Sequence, residues 1–164
     1  ISINEILDET IRIIAREAEA KNIKITDKVA PGITIDGDRR AVKQIFLNLL
    51  SNAVKFSREN GKVFVRAKIL SNCIRISIED KGIGISSEDL KKLGRPFEQA
   101  QNQLTRDHKG SGLGLAISRS LAEMHGGALK IRSKRGKGTI VSLQLPVACP
   151  DKPLTQERQA IETA

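Results

Sequence analysis

The chain has 164 residues, 39% hydrophobic and 29% charged, with a net charge of +9 and a pI near 9.8. That length holds one globular domain able to fold without metal or disulfide support, and no run of eighteen apolar residues exists to span a membrane as a helix. The charge suits anionic nucleotides, acidic proteins and nucleic acids alike, but with 2% aromatic residues and no Trp or Tyr the stacking platforms of a single-strand binder are missing. Beginning at Ile1 rather than Met, and showing no signal-like leader, the sequence reads as an internal piece of something longer. Cys73 and Cys149 stand alone, without metal-ligand spacing, and suit a cytosolic setting.

Ser2-Ile3-Asn4-Glu5 has the form of a capping box, and Ile6, Leu7, Ile11, Ile14 and Ala18 follow at helical spacing. Ile23–Val29 and Ile33–Ile35 read as a small hairpin about Pro31-Gly32. Asp38 is the expected N-cap of a second helix running to about Phe56. Asn60-Gly61 introduces strands Lys62–Leu70 and Cys73–Asp80, joined tightly at Ser71-Asn72. A glycine-bearing loop, Asp80–Ser86, leads to a short helix ending near Leu93, and residues 94–112 read as a mobile loop without periodicity. A helix from Leu113 to His125 stops at Gly126-Gly127. Strands Ala128–Lys134 and Thr139–Leu145 close the pattern at Pro146, with Gly136-Lys137-Gly138 as their turn. This order predicts an α+β sandwich: a mixed, largely antiparallel sheet with about three helices packed on one face. Residues 1–146 form the expected domain and 147–164 a tail or linker.

Three segments carry chemistry. At 100° per residue, Gln44, Asn48, Asn52 and Lys55 share a wedge of roughly 80° on the second helix. Asparagine is a poor helix former, and a solvated face more cheaply carries Glu, Lys or Gln. The four residues make either an ordinary polar face or a row of carboxamide oxygens for a hard cation, with a lysine for phosphate. Asp80-Lys81-Gly82-Ile83-Gly84-Ile85 ends an alternating strand; it makes a simple turn, or an acid for an exocyclic amine beside glycines that admit a flat ring. Gly110-Ser111-Gly112-Leu113-Gly114 opens a helix, with Arg106 and Lys109 just before it, where backbone N–H groups suit phosphate. It is neither a dinucleotide fingerprint nor a Walker A loop. Gly136–Thr139 most simply makes a turn. His125 falls at a helix C-terminus, where a charge would complement the dipole, and reads as structural. His108, in the loop, has no acid or nucleophile at motif spacing.

Together these segments resemble the GHKL superfamily, the Bergerat-type ATPases that include gyrase B subunits, MutL-type repair proteins, large heat-shock chaperones and histidine kinases. The N box matches Gln44–Phe56, the G1 box Asp80–Gly84, the F box Pro96-Phe97-Glu98 and the G2 box Gly110–Gly114, in that order. The resemblance implies Mg²⁺-ATP as ligand. Asn52 would hold the metal, Asn48 assist, and Lys55 meet phosphate. Asp80 would read the adenine amine, with Gly82, Gly84, Ile85 and Thr139 lining the same site. Phe97 would brace an ATP lid over 98–109, and Lys109, Gly110, Ser111, Gly112, Leu113 and Gly114 would face the phosphates.

Hydrolytic members of the superfamily resemble one another in placing a glutamate base where this chain has Asn48, which accepts no proton at neutral pH. The resemblance is therefore to sensor histidine kinases, and the run from Gly94 to Gln99, with Gln101–Thr105 and Gly110–Leu121 after it, is similar to the PleC/DivJ cell-cycle kinases of alphaproteobacteria. It implies a cytoplasmic domain, in a homodimeric parent whose membrane topology stays open. The γ-phosphoryl would pass to a histidine on a separate dimerisation domain and then to a receiver protein of the DivK type, with no nucleic-acid partner. The acceptor motif itself is absent; neither His108 nor His125 matches it. An ATPase coupling hydrolysis to conformational change, and a basic nucleic-acid-binding module, are the alternatives.

Overall fold

The computed structural model describes residues 1–93 and 113–147. The elements run α1 (Ile3–Ala20), β1 (Lys24–Lys28), α2 (Arg39–Phe56), β2 (Lys62–Ile69), β3 (Cys73–Asp80), α3 (Ser87–Lys92), α4 (Gly114–Met124), β4 (Ala128–Lys134) and β5 (Gly138–Pro146). Both predicted caps form. Ser2 accepts from the Glu5 N–H at 3.3 Å, and Asp38 Oδ1 accepts from Arg40 at 2.7 Å and Ala41 at 3.3 Å. Asp38→Ala orphans both of those donors, and chemical denaturation should show a loss of about 1–2 kcal/mol.

The strands make one five-stranded sheet in the order β1-β2-β3-β5-β4, parallel between β1 and β2 and antiparallel elsewhere. The predicted mixed, largely antiparallel sheet is thus observed. Helices α1, α2 and α4 are the predicted layer, while the short α3 lies against β4. Period-two burial explains the layering: Val63, Val65, Ile74, Ile76, Ile78, Leu143 and Leu145 turn inward to meet Ile6, Leu7, Ile45, Phe46 and Leu49 of the helices.

The expected hairpin between residues 23–29 and 33–35 does not form. β1 pairs in parallel with β2, and Thr34 makes only an isolated bridge to Ser2. The backbone partners of this apolar stretch lie at the chain start: Ile3 N–H donates to Ile33 O, and Ile35 N–H to Ile1 O, each at 3.0 Å. Ile33 and Ile35 are buried there, so alternation reflected burial rather than pairing with the neighbouring strand.

The opposite sheet face is polar. One row across it reads Lys28, Arg66, Ser77, Ser142, Lys130, and the next pairs Lys68 with Arg75 and Arg75 with Gln144. Among the described residues no helix side chain fills this face.

Candidate functional site

The alternation that buries Ile74, Ile76 and Ile78 also turns Asp80 inward, at the last position of β3. Register places Thr139 of β5 beside it and Ser133 of β4 beside Thr139, so an apolar layer ends in three polar side chains. Asp80 is only 6% exposed. Burial pushes its carboxyl pKa up, while the backbone N–H groups of Gly82 and Thr139 pull it the other way. Gly82 N–H reaches Oδ1 at 2.8 Å. Ser133 Oγ donates to Gly138 O at 2.9 Å, accepts from Ile85 N–H at 2.8 Å, and lies 2.8 Å from Thr139 Oγ1. Ser133 was not foreseen: a serine on an exposed-looking strand carries no sequence signal, and only the register brings it to Asp80.

The loop after Asp80 is squeezed from both sides. A side chain at Gly82 would land on the Phe56 carbonyl of α2, and one at Gly84 on the Lys134 carbonyl of β4, where Gly84 also has φ +66°. Ile83 N–H donates to Phe56 O at 3.2 Å, and Gly136 N–H to Ile83 O at 2.6 Å. Both glycines are therefore required by close backbone packing. That packing clamps the loop between the end of α2 and the β4–β5 turn.

The predicted wedge of α2 is present. Gln44 Nε2 donates to Asn48 Oδ1 at 2.9 Å, and Asn48 Nδ2 donates to Gly114 O at 3.1 Å and Ser118 Oγ at 3.2 Å. Asn48 is thus a tie that holds the first turn of α4 against α2, with its carboxamide engaged at both ends. One turn on, half-buried Asn52 has no hydrogen-bond partner among the described residues. Lys55 Nζ lies 5.4 Å from the centre of the Phe56 ring and meets no acid among them. No group of three His, Cys, Asp or Glu among the described residues could hold a metal alone. A hard cation at this helix would have to draw on carboxamide, water or ligand oxygens.

α4 begins at Gly114 with Leu113 as its N-cap residue, no side-chain cap, and no acid in its first turn. Its leading N–H groups are thus suited to an anion. Phe97, Lys109, Gly110, Ser111 and Gly112, with His108 and the 94–112 loop, lie outside the described residues. At the other end of α4, His125 Nδ1 lies 2.7 Å from Leu121 O, and its Nε2 accepts from Asp38 N–H at 3.1 Å. These bonds fit the neutral ring with Nδ1 protonated. His125 is structural as expected, but as a staple between α4 and the start of α2 rather than as a charge on a dipole.

Over residues 37–148 the sequence matches the family described as histidine kinase-, DNA gyrase B-, and HSP90-like ATPase. It is 42% identical over 144 residues to the histidine protein kinase DivJ of Caulobacter vibrioides, covering 87% of this chain and 24% of that protein. The chain thus spans about a quarter of the length of this curated relative. The fold is similar to the mycobacterial sensor histidine kinase MprB, with a TM-score of 0.79 at 28% identity over 89% of this chain and 96% of that one. Full-length ShkA in complex with AMPPNP matches with a TM-score of 0.79 at 31% identity, over 94% of this chain and 32% of that one.

Proposed function

The chain belongs to the histidine kinase-, DNA gyrase B- and HSP90-like ATPase family as an ATP-binding catalytic domain of the histidine-kinase kind, and from that premise we propose how its residues serve phosphotransfer. Residues 1–146 act as the catalytic unit, and the full protein passes the γ-phosphoryl of ATP to a histidine on its own dimerisation domain. A receiver aspartate, of the DivK type, takes it next. The side chains of Asn52 and Lys55, one and two turns beyond the Asn48 tie to the start of α4, make no hydrogen bond or ion pair among the described residues, and this is the observation that carries the reading.

In this arrangement Asp80 accepts from the adenine amine at the buried end, with Thr139, Gly82, Gly84 and Ile85 around it. Asn52 is the metal ligand this chain offers, and Lys55 and the N–H groups at the start of α4 meet phosphate oxygens. Mg²⁺ there would neutralise phosphate charge. The chain's own contribution is positioning: Asn48, through Gly114 and Ser118, fixes the spacing between α2 and α4. An asparagine already bonded on both sides is also no base for water, so hydrolysis by the domain alone should be slight.

Titration calorimetry with a non-hydrolysable ATP analogue tests this. One-to-one binding that tightens with Mg²⁺ is expected, and Asn52→Ala should erase the tightening while leaving the Mg²⁺-free affinity within about threefold. Absence of binding in the unaltered chain, or steady multiple-turnover hydrolysis, would defeat the proposal.

A further inference from the structure

The chain's excess of nine positive charges is not evenly spread. Within the helix layer Glu9 lies between Arg39 and Lys43, and Glu5 also meets Arg39. The sheet face opposite is different: β2 turns Lys62, Arg66 and Lys68 outward and β4 turns Lys130, Arg132 and Lys134 outward, all exposed. Lys24, Lys28 and Arg75 extend the same face. Its one acid among the described strand residues, Glu79, is taken by Arg66 and Lys81 at 2.6 Å each, and those bonds hold its carboxyl below the ordinary range. Strand spacing and rise set the cations on a lattice of roughly 5 by 7 Å. Neighbours so placed lie within one screening length of about 8 Å in physiological salt, so their potentials add.

We propose that this face is an electrostatic docking surface for an anionic lipid bilayer. A folded protein partner would call for a broad apolar centre and few lysines, whereas the centre here is the Ser77–Ser142 hydroxyl pair at 3.3 Å, and the adjoining apolar side chains are two, half-buried Phe64 and exposed Ile140, with Glu79 between them. Nucleic acid finds no helix here to enter a groove, and the Phe64 ring is half-buried with the Arg66 guanidinium 5.0 Å from its centre, so it offers no free stacking platform. A bilayer asks for neither shape nor apolar anchors: its anionic headgroups move laterally beneath a fixed lattice of cations, and long Lys and Arg stems reach them. Asp80, Thr139 and Ser133 lie on the helix side of the sheet. A docked domain therefore keeps its nucleotide site turned away from the bilayer.

Flotation of the chain with phosphatidylcholine vesicles, with and without about one-third phosphatidylglycerol, tests the proposal. Binding should need the anionic lipid and disappear at about 0.5 M salt. The triple variant Lys28→Glu, Lys68→Glu, Lys130→Glu should bind at least about a hundredfold more weakly. A charge-matched control, Arg12→Glu, Arg16→Glu, Lys91→Glu, should stay within about threefold of wild type. Calorimetry with the ATP analogue shows that both variants are folded, and vesicles should leave that affinity unchanged. The proposal is overturned by no preference for anionic vesicles, by equal loss in both variants, or by tighter binding to duplex DNA or an acidic polypeptide than to vesicles at the same salt.

Discussion

Replacing Asp80 by asparagine is expected to lower ATP-analogue affinity about a hundredfold while leaving the empty domain at least as stable as wild type at neutral pH. The two effects have one cause. The carboxylate sits 6% exposed at the end of an apolar strand face, where burial outweighs the help of the Gly82 and Thr139 N–H groups and raises its pKa. An asparagine of the same shape still accepts from Gly82 through its oxygen but carries no charge to desolvate. Its amide nitrogen, however, would oppose the adenine amine donor to donor, and a hydrogen bond to a charged group is worth about 1.5–3 kcal/mol. Because burial raises the folded-state value above the unfolded one, the charge penalty is absent below the unfolded carboxyl value near pH 4 and grows as pH rises through the folded value. Denaturation curves of the two proteins should thus converge in acid and separate in favour of the Asp80→Asn variant toward neutrality. Wild-type affinity in the variant would remove Asp80 from the adenine contact. Lower stability of the variant at neutral pH would mean that the backbone N–H groups fully compensate the buried charge.

What the sequence disclosed depended on how local the cause was. Ser2 and Asp38 act on N–H groups two or three residues away, and the Ser71-Asn72 connection joins strands that pair directly, so each could be read from a few letters. β1 could not, because its parallel partner is β2, on the far side of α2, while the residues 33–35 that looked like its partner pair with the chain start. The site divides similarly. Asp80 was legible from the strand pattern and the glycines after it, and the α2 wedge from helical spacing. Ser133, Ser118 and His125 act only through elements brought together by the fold, so their letters look ordinary. At Gly82 and Gly84 the sequence marked a loop that needs glycine, while the packing reason, carbonyls of Phe56 and Lys134, was invisible.

Lys21 is the strongest case of such a residue, and Lys21→Met should cost the domain about 2–4 kcal/mol. At this chain length that corresponds to a fall in Tm of about 6–12 °C. The side chain leaves the end of α1 and donates from Nζ to three carbonyls at the end of α2: Val54 at 3.0 Å, Lys55 at 2.8 Å and Ser57 at 2.7 Å. Carbonyls in the last turn of a helix lack intrahelical donors, and a cation there also meets the negative end of the dipole. Burial depresses the ammonium pKa, with Glu59 pulling it back, so the charge has been taken partly out of water to make these bonds. Methionine keeps the stem and leaves the acceptors unmet. The consequence should reach the proposed nucleotide site, because the same turn carries Lys55 and offers the Phe56 carbonyl to Ile83 in the loop after Asp80. Lys21→Arg, which retains charge and donors, should recover part of the stability and most of the ATP-analogue affinity. A Met variant within about 0.5 kcal/mol of wild type would show that water replaces the ammonium, leaving the clamp between α2 and the Gly82–Gly84 loop to hold the turn by itself.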